Sequence, residues 1–480
     1  MRKSVMILTL TTMLGGCNLA PKYVQPTLPV AETFPGGVGE QAPVESSAAM
    51  LGWRDFFQDS RLQALIAASL ERNRDLAQSL ARVAQARAQY RIQETQRLPT
   101  LEVNGQGTRS RQPLSALGTG ASADANAIEF SQYSANVGVS AFELDLWGRV
   151  RNLAEAERQR YLASEEGARA FRLSLIAQVA AAYYDIQAGE ERIALARQSL
   201  EGREEGLRIA RKRLDAGVTS TVDYDQSMLL LTQAQTELAD LQRTTEQARN
   251  LLNVLTGGPV SDSLPAARPL ARAEQVLAVE PGLPSALLAG RPDILEAEHN
   301  LRAANADIGA ARAAFFPTIS LTGNYGFASS ALDSLFDKGN QAWSFGGALN
   351  LPIFDWGRRS AQVKVSRARA DELTAAYQRA VQGAFQEVAD ALVARRRLGE
   401  QIVAQERTVT AQLRLARTAR QRYDNGIAIY LEVLDAERNL FAAQQQLLQL
   451  RATDLQNGVS LYVALGGGLE EKLQGSTASP

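Results

Sequence analysis

Residues 143–149 read Glu-Leu-Asp-Leu-Trp-Gly-Arg and residues 353–358 read Ile-Phe-Asp-Trp-Gly-Arg, which sets Trp147 and Trp356 209 positions apart. The same offset carries Arg213-Leu-Asp-Ala-Gly217 onto Arg422-Tyr-Asp-Asn-Gly426 and Gly257-Gly258 onto Gly466-Gly467. Upstream the offset is 218, taking Asp75 to Asp293 and Leu98-Pro99-Thr100 to Phe316-Pro317-Thr318. Matched elements in a fixed order mean one module used twice, so both halves must fold alike. The change of offset leaves nine extra residues between Pro99 and Trp147. An insertion confined to one stretch predicts a loop there.

Each half reads as helix, strand, loop, strand, long helix, turn, helix. Residues 60–97 and 285–314 carry helical periodicity and stop at Pro99 and Pro317, which cannot continue a helix. The period then becomes two. Ile319, Leu321, Tyr325 and Phe327 alternate with Thr318, Ser320, Thr322 and Asn324, and Trp343, Phe345, Leu349 and Leu351 with Ser344, Gly346, Ala348 and Asn350. Leu101 and Val103, then Tyr133, Ala135, Val137 and Val139, repeat the pattern in the first half. Four strands are predicted, at 100–110, 131–146, 318–329 and 342–355, with the length and alternation of outer-membrane barrel strands. A water-soluble sandwich with one wet face would alternate too; Tyr133, Tyr325, Phe327, Trp343 and Phe345, gathered near the loop ends, suit an interfacial girdle better.

Long helices are predicted at 152–214 and 360–423, each spanning roughly 90 Å at 1.5 Å per residue. Ile193, Leu200, Leu207 and Leu214 recur every seven residues, and Val381, Phe385, Val388 and Leu392 step by four, three and four, which is coiled-coil spacing. Gly217 and Gly426 sit where a helix end needs positive φ, and helices return over 221–256 and 430–465. The expected layout is therefore a leader (1–16), an extended N-terminal segment (17–59), a first repeat (60–256), a connector (257–284), a second repeat (285–466) and a tail (467–480).

Arg2 and Lys3 followed by the apolar run Val5–Leu14 describe a secretory leader, and Leu14-Gly15-Gly16-Cys17 resembles a lipobox, in which Cys17 is acylated and becomes the new N-terminus. A plain leader with an incidental cysteine is the alternative. Asn18 in place of Asp suits onward export to the outer membrane. Past the leader no apolar run approaches the ~20 residues of a membrane helix. With 51 basic against 52 acidic residues there is no charge excess to hold a nucleic acid. One cysteine and one histidine, His299, exclude an internal disulfide and two-histidine metal motifs, and no phosphate-binding glycine loop occurs. No catalytic, metal-binding or cofactor-binding residues are expected; the covalent lipid on Cys17 is the only adduct.

Four strands cannot close, and open edges do not survive in hydrocarbon. Three copies, giving twelve strands, are the smallest count expected to leave an open lumen, so the chain should be an α+β membrane protein, a trimeric twelve-stranded β-barrel continued by a helical coiled-coil barrel, with an internal duplication. The lipobox, the doubled strand-loop-strand with its long hairpin, and the Arg-x-x-x-Gly turns resemble the TolC-like outer-membrane factors of tripartite efflux pumps, in their OprM-like lipoprotein branch. The stretch from Tyr423 to Ala436 is the most specific part. That resemblance implies a passive duct in the outer membrane of a Gram-negative bacterium, with a periplasmic end held shut by its helix tips. It further implies docking to a periplasmic adaptor protein and an inner-membrane RND-type transporter. It also implies that Glu432 and Asp435 ring the constriction, with Tyr423 as gate tyrosine and Asp223 its partner. The turns at Gly217 and Gly426 would offer the adaptor surface. Ala428 and Val222 depart from the family's arginine and threonine, with Asp424 and Arg213 as candidate substitutes. The acids also suit a helix's first turn for its dipole alone, and a non-conducting lipoprotein stalk is the competing function.

Overall fold

In a computed structural model, the structure describes residues 18–31, 52–113, 127–260, 264–273 and 290–467. Cys17, the leader and all of the tail but Gly467 lie outside them. In chain order, a short helical turn at Trp53–Phe56 is followed by α1 (Ser60–Arg72), α2 (Arg74–Thr95), β1 (Leu101–Pro113), β2 (Ala127–Glu143), α3 (Arg149–Asp215) and α4 (Thr221–Leu255). The second half supplies α5 (Pro292–Ala313), β3 (Thr318–Ser329), β4 (Gln341–Asn350), α6 (Arg358–Asp424) and α7 (Tyr430–Ala464). Contacts divide the chain into two compact units. One comprises Val83–Ser164 and Ala297–Tyr377 with the N-terminal stretch to Pro26; the other comprises Thr27–Arg82, Glu165–Glu296 and the chain from Gln378. Among the described residues no helix is long and apolar enough to cross a bilayer.

In the first unit the four strands form one antiparallel sheet in the order β1-β2-β3-β4, so among the described residues the outer edges of β1 and β4 have no partner strand. Register sorts the side chains. Leu101 and Val103 lie opposite Val139 and Val137, Val137 opposite Tyr325, and Tyr325 opposite Trp343. These residues share one face with Phe345, Leu349, Leu321 and Ile319. Asn104, Ser134, Asn136, Asn324 and Ser344 take the other, since successive residues point to opposite sides. Leu101, Val103, Trp343, Phe345 and Leu349 are all exposed, a coherent apolar face open to its surroundings.

Two strand predictions change. The nine-residue surplus is mostly strand, not loop: β1 and β2 run 13 and 17 residues against 12 and 10 for β3 and β4. Beyond Tyr133, β2 pairs with β1 alone, and there the apolar face turns charged, with Arg109 and Arg111 at 2.9 and 3.6 Å from Glu129. A hairpin grows by adding residues to both its strands, so a longer ladder leaves the register untouched. Conversely, the strand expected over 342–355 stops at Asn350. The equivalent residues of the first half, Phe142 and Glu143, are strand because β3 lies beside them, past a bulge where Ala141 takes φ +51°. Residues 351–355 have no such neighbour.

The second unit holds the main core. Phe56 stacks on Tyr462 at 4.3 Å, and Trp53, Phe57, Leu62, Leu175 and Ile66 are buried with them. The segment expected to be extended up to residue 59 therefore contains a buried helical turn, fixed by its aromatics. Asp59 caps α1 through Arg61 N–H (2.8 Å) and accepts the Tyr183 hydroxyl at 2.6 Å. The helix expected over 60–97 breaks at Asn73, whose side chain accepts from Leu76 N–H at 2.8 Å and donates to the Leu255 carbonyl at 3.0 Å. Between residues 377 and 398 of α6 the buried positions are Tyr377, Val381, Ala384, Val388, Ala391 and Leu398, with the expected Phe385 and Leu392 half-buried beside them. Alanine at alternate steps lets neighbouring helices approach closely. In the last part of α3, past residue 190, the buried residues are Ala196, Arg203, Gly206 and Ala210, and the heptad Ile193, Leu200, Leu207 and Leu214 is half-buried.

Candidate gate at the helix tips

The long helices α3 and α6 each end in the same closure. Val218 N–H donates to the Arg213 carbonyl at 3.0 Å and Gly217 to Leu214 at 2.9 Å; Ile427 donates to Arg422 and Gly426 to Tyr423, both at 2.8 Å. This pairing needs a left-handed residue, supplied by Gly217 at φ +69° and Gly426 at φ +71°. A Cβ would meet no other atom at either position, so glycine is required by the backbone alone. The tight reversal starts the next helix at once. It sets Asp223 and Glu432 in the first turns of α4 and α7, where the helix dipole favours a negative charge.

Glu432 and Asp435, three residues apart, share a face of α7. Each carboxylate already holds a cation of its own chain: Arg422 is 3.2 Å from Glu432 and Arg438 is 3.2 Å from Asp435. All four side chains are open to solvent, so each pair contributes only about 0–1 kcal/mol. Asp223 accepts the Thr219 hydroxyl, while Tyr423 meets the Tyr430 ring edge-on at 4.9 Å. These are the local contacts of Asp223 and Tyr423 within one chain. Asp424 pairs with Arg420 at 3.8 Å.

Above the turns the two hairpins are fastened by Tyr430, Val433 and Leu434, buried against Ile209, Leu230, Ala419 and Tyr423. Gly206 makes the room, since a Cβ there would sit 3.0 Å from the Tyr430 ring. Arg203, only 5% exposed, donates to the Leu434 carbonyl at 3.2 Å, and burial lowers its pKa. Burial, assisted by the charge of Glu437, pushes the Tyr430 hydroxyl up. Sequence reasoning passed over Arg422 and Arg438, although the first opens the quoted turn and the second stands three residues from Asp435. Arg203 had no signal, being one of 51 basic residues.

The N-terminal stretch is held in the other unit. Arg312 donates to the Leu19 carbonyl at 3.2 Å, Asn305 to Pro21 at 2.8 Å, and the Tyr23 hydroxyl to Glu298 at 3.1 Å, with the Arg302 guanidinium over the Tyr23 ring. His299 is engaged with Gln159 at 2.7 Å.

The profile of the family described as outer membrane efflux protein matches residues 65–258 and 283–467. The antibiotic efflux pump outer membrane protein ArpC of Pseudomonas putida is 44% identical over 477 residues, covering 98% of this chain and 97% of its own length. The cation efflux system protein CusC of Escherichia coli is 39% identical over 460 residues, covering 95% and 97%. The solved open state of the MtrE outer membrane channel of Neisseria gonorrhoeae superimposes with a TM-score of 0.85 at 39% identity, covering 95% of this chain and 100% of that one.

Proposed function

We propose that this chain, which belongs to the outer membrane efflux protein family, works as one third of a passive exit duct whose periplasmic tips form the gate. It is an outer-membrane efflux channel. The observation that carries the assembly is the sheet: four strands with two unpartnered edges and one face apolar over most of its length cannot stand alone in a bilayer, where every backbone polar group needs a partner inside the structure. Three copies joined edge to edge give twelve strands and an open lumen. Energy then comes from elsewhere, from an inner-membrane RND-type transporter reached through a periplasmic adaptor that docks on the turns at Gly217 and Gly426. Acylated Cys17 adds a lipid anchor; its neighbouring residues Leu19 and Pro21 are tied to α5, six to thirteen residues before β3 begins. Relatives of similar identity carry the words antibiotic and cation in their names, which supports a duct that leaves cargo choice to the transporter.

At the tips, three copies of Glu432 and Asp435 place six carboxylates around one axis, and their arginine partners set how much of that charge reaches the lumen. Conductance in planar bilayers tests the reading. The protein should conduct without nucleotide, and Glu432→Gln with Asp435→Asn should lower its preference for cations, since Arg422 and Arg438 are then left uncompensated. Unchanged selectivity would remove the acidic ring and leave the duct; absence of conductance would favour the stalk.

A further inference from the structure

Trp147 and Trp356 are the same residue of the repeated module, yet their surroundings differ completely. The Trp147 indole N–H donates to the Pro317 carbonyl at 2.8 Å, and its ring stacks on Phe316 at 4.7 Å. Just before it, Leu144 N–H donates to the Ile319 carbonyl at 2.8 Å, and Phe142 lies opposite Leu321. This is how the first repeat clasps the start of the second. Trp356 is 90% exposed, its ring meeting only the neighbouring Phe354 edge-on at 4.7 Å among the ring contacts of the described residues, and it takes φ +55°, a left-handed backbone that a non-glycine residue keeps where neighbours enforce it. Ile353, the counterpart of Leu144, is likewise 90% exposed.

The docking site for Trp356 is written in the repeat. Subtracting the 218-residue offset turns Phe316, Pro317, Ile319 and Leu321 into Leu98, Pro99, Leu101 and Val103. Leu98, Leu101 and Val103 are 68%, 69% and 82% exposed, along the unpartnered edge of β1. The knob and its receptacle lie at opposite ends of the four-strand sheet, so they meet only between copies.

We propose that the second repeat of one copy clasps the first repeat of the next through the contact the chain already makes internally. The edge of β4 continues onto β1 with Leu351 opposite Val103. Ile353 N–H donates to the Leu101 carbonyl, and the Trp356 indole donates to the Pro99 carbonyl while lying on Leu98. The inference rests on the oligomeric reading above and adds its register. Two further features agree. Leu351 and Val103 both belong to the apolar face, and a one-residue slip would turn one of them to the polar side. Pro352 stands at the Glu143 position, one before the donor, where the alternation of a strand turns the N–H away from the seam; a proline there removes no bond. The sequence expectation of strand to residue 355 then reflects the assembled seam.

The test is a cysteine pair in the full-length chain, expressed in the outer membrane and oxidised. Val103→Cys with Leu351→Cys should give a covalent three-chain species on denaturing gels; Val103→Cys with Leu349→Cys, and each single variant, should give none. Trp356→Ala should lower the temperature at which the oligomer separates into chains. If the protein is a three-chain particle by mass in detergent but bonds form only in the Leu349→Cys pair, or in neither, the register is overturned and the duct reading stands. A single-chain particle would overturn both. An unchanged separation temperature for Trp356→Ala would overturn the indole contact.

Discussion

Asn73 and Arg291 occupy one position of the repeated module, 218 residues apart, and solve one problem by different chemistry. The last turn of a helix leaves carbonyls without partners. Asn73 donates to Leu255 at the end of α4, while Arg291, 7% exposed, donates to Ala464 at the end of α7 at 2.6 Å and is balanced by Asp293 and Glu387 at 2.7 and 2.8 Å. Alignment of the halves locates this position; nothing in either residue's type announces the role, because the carbonyl it serves lies about 180 residues away. Tyr23 gives a residue-level prediction. Burial first, then the charge of Glu298, raises its hydroxyl to about 12 from the usual 10.0. Below pH 10 the hydroxyl is protonated whether docked or free, and the bond to Glu298 is intact. As pH rises through 10 toward 12 the free form ionises first, so docking of the N-terminal stretch weakens across that window. The difference in tyrosinate absorbance between the protein and Tyr23→Phe should titrate near pH 12; a midpoint near 10 would mean a solvated hydroxyl.

Among elements, the turns were the most legible, because an Arg-x-x-x-Gly ending repeated at a fixed offset has a local cause in the left-handed glycine. Gly217→Ala or Gly426→Ala should cost about 1–2 kcal/mol of local stability, read as faster hydrogen exchange of the amides of Val218 or Ile427 with exchange in the strands unchanged. Asparagine should be tolerated better. Equal exchange in the alanine variants would show that the closure does not hold the tip. Strand identity was equally plain from period-two alternation. Strand ends were not, because an end is set by the neighbour: β2 outruns β3 on the strength of β1, and β4 stops where β3 leaves it. The break at Asn73 was missed for a similar reason, since its side chain serves a carbonyl on a different helix.

For the whole molecule, the decisive quantity is the unpaired edge. The detergent-extracted protein should have a mass three times that of the mature chain. Gly326→Ala should abolish that particle, since a Cβ there would stand 2.1 Å from the Ala135 carbonyl and split β2 from β3. A stable trimer carrying that substitution would mean that the seam between the repeats is not what holds the sheet.

The sequence alone determined the duplication, the kind and order of elements, the face of each strand that meets lipid and the glycine turns, because each of these is a local or periodic property of side-chain spacing. The fold alone decided where strands end, that the tip acids are matched by Arg422 and Arg438, and that Trp147 is clasped while Trp356 stands open. Those depend on which distant segments become neighbours, and in a repeated chain identical residues part company once one of them lies at an edge.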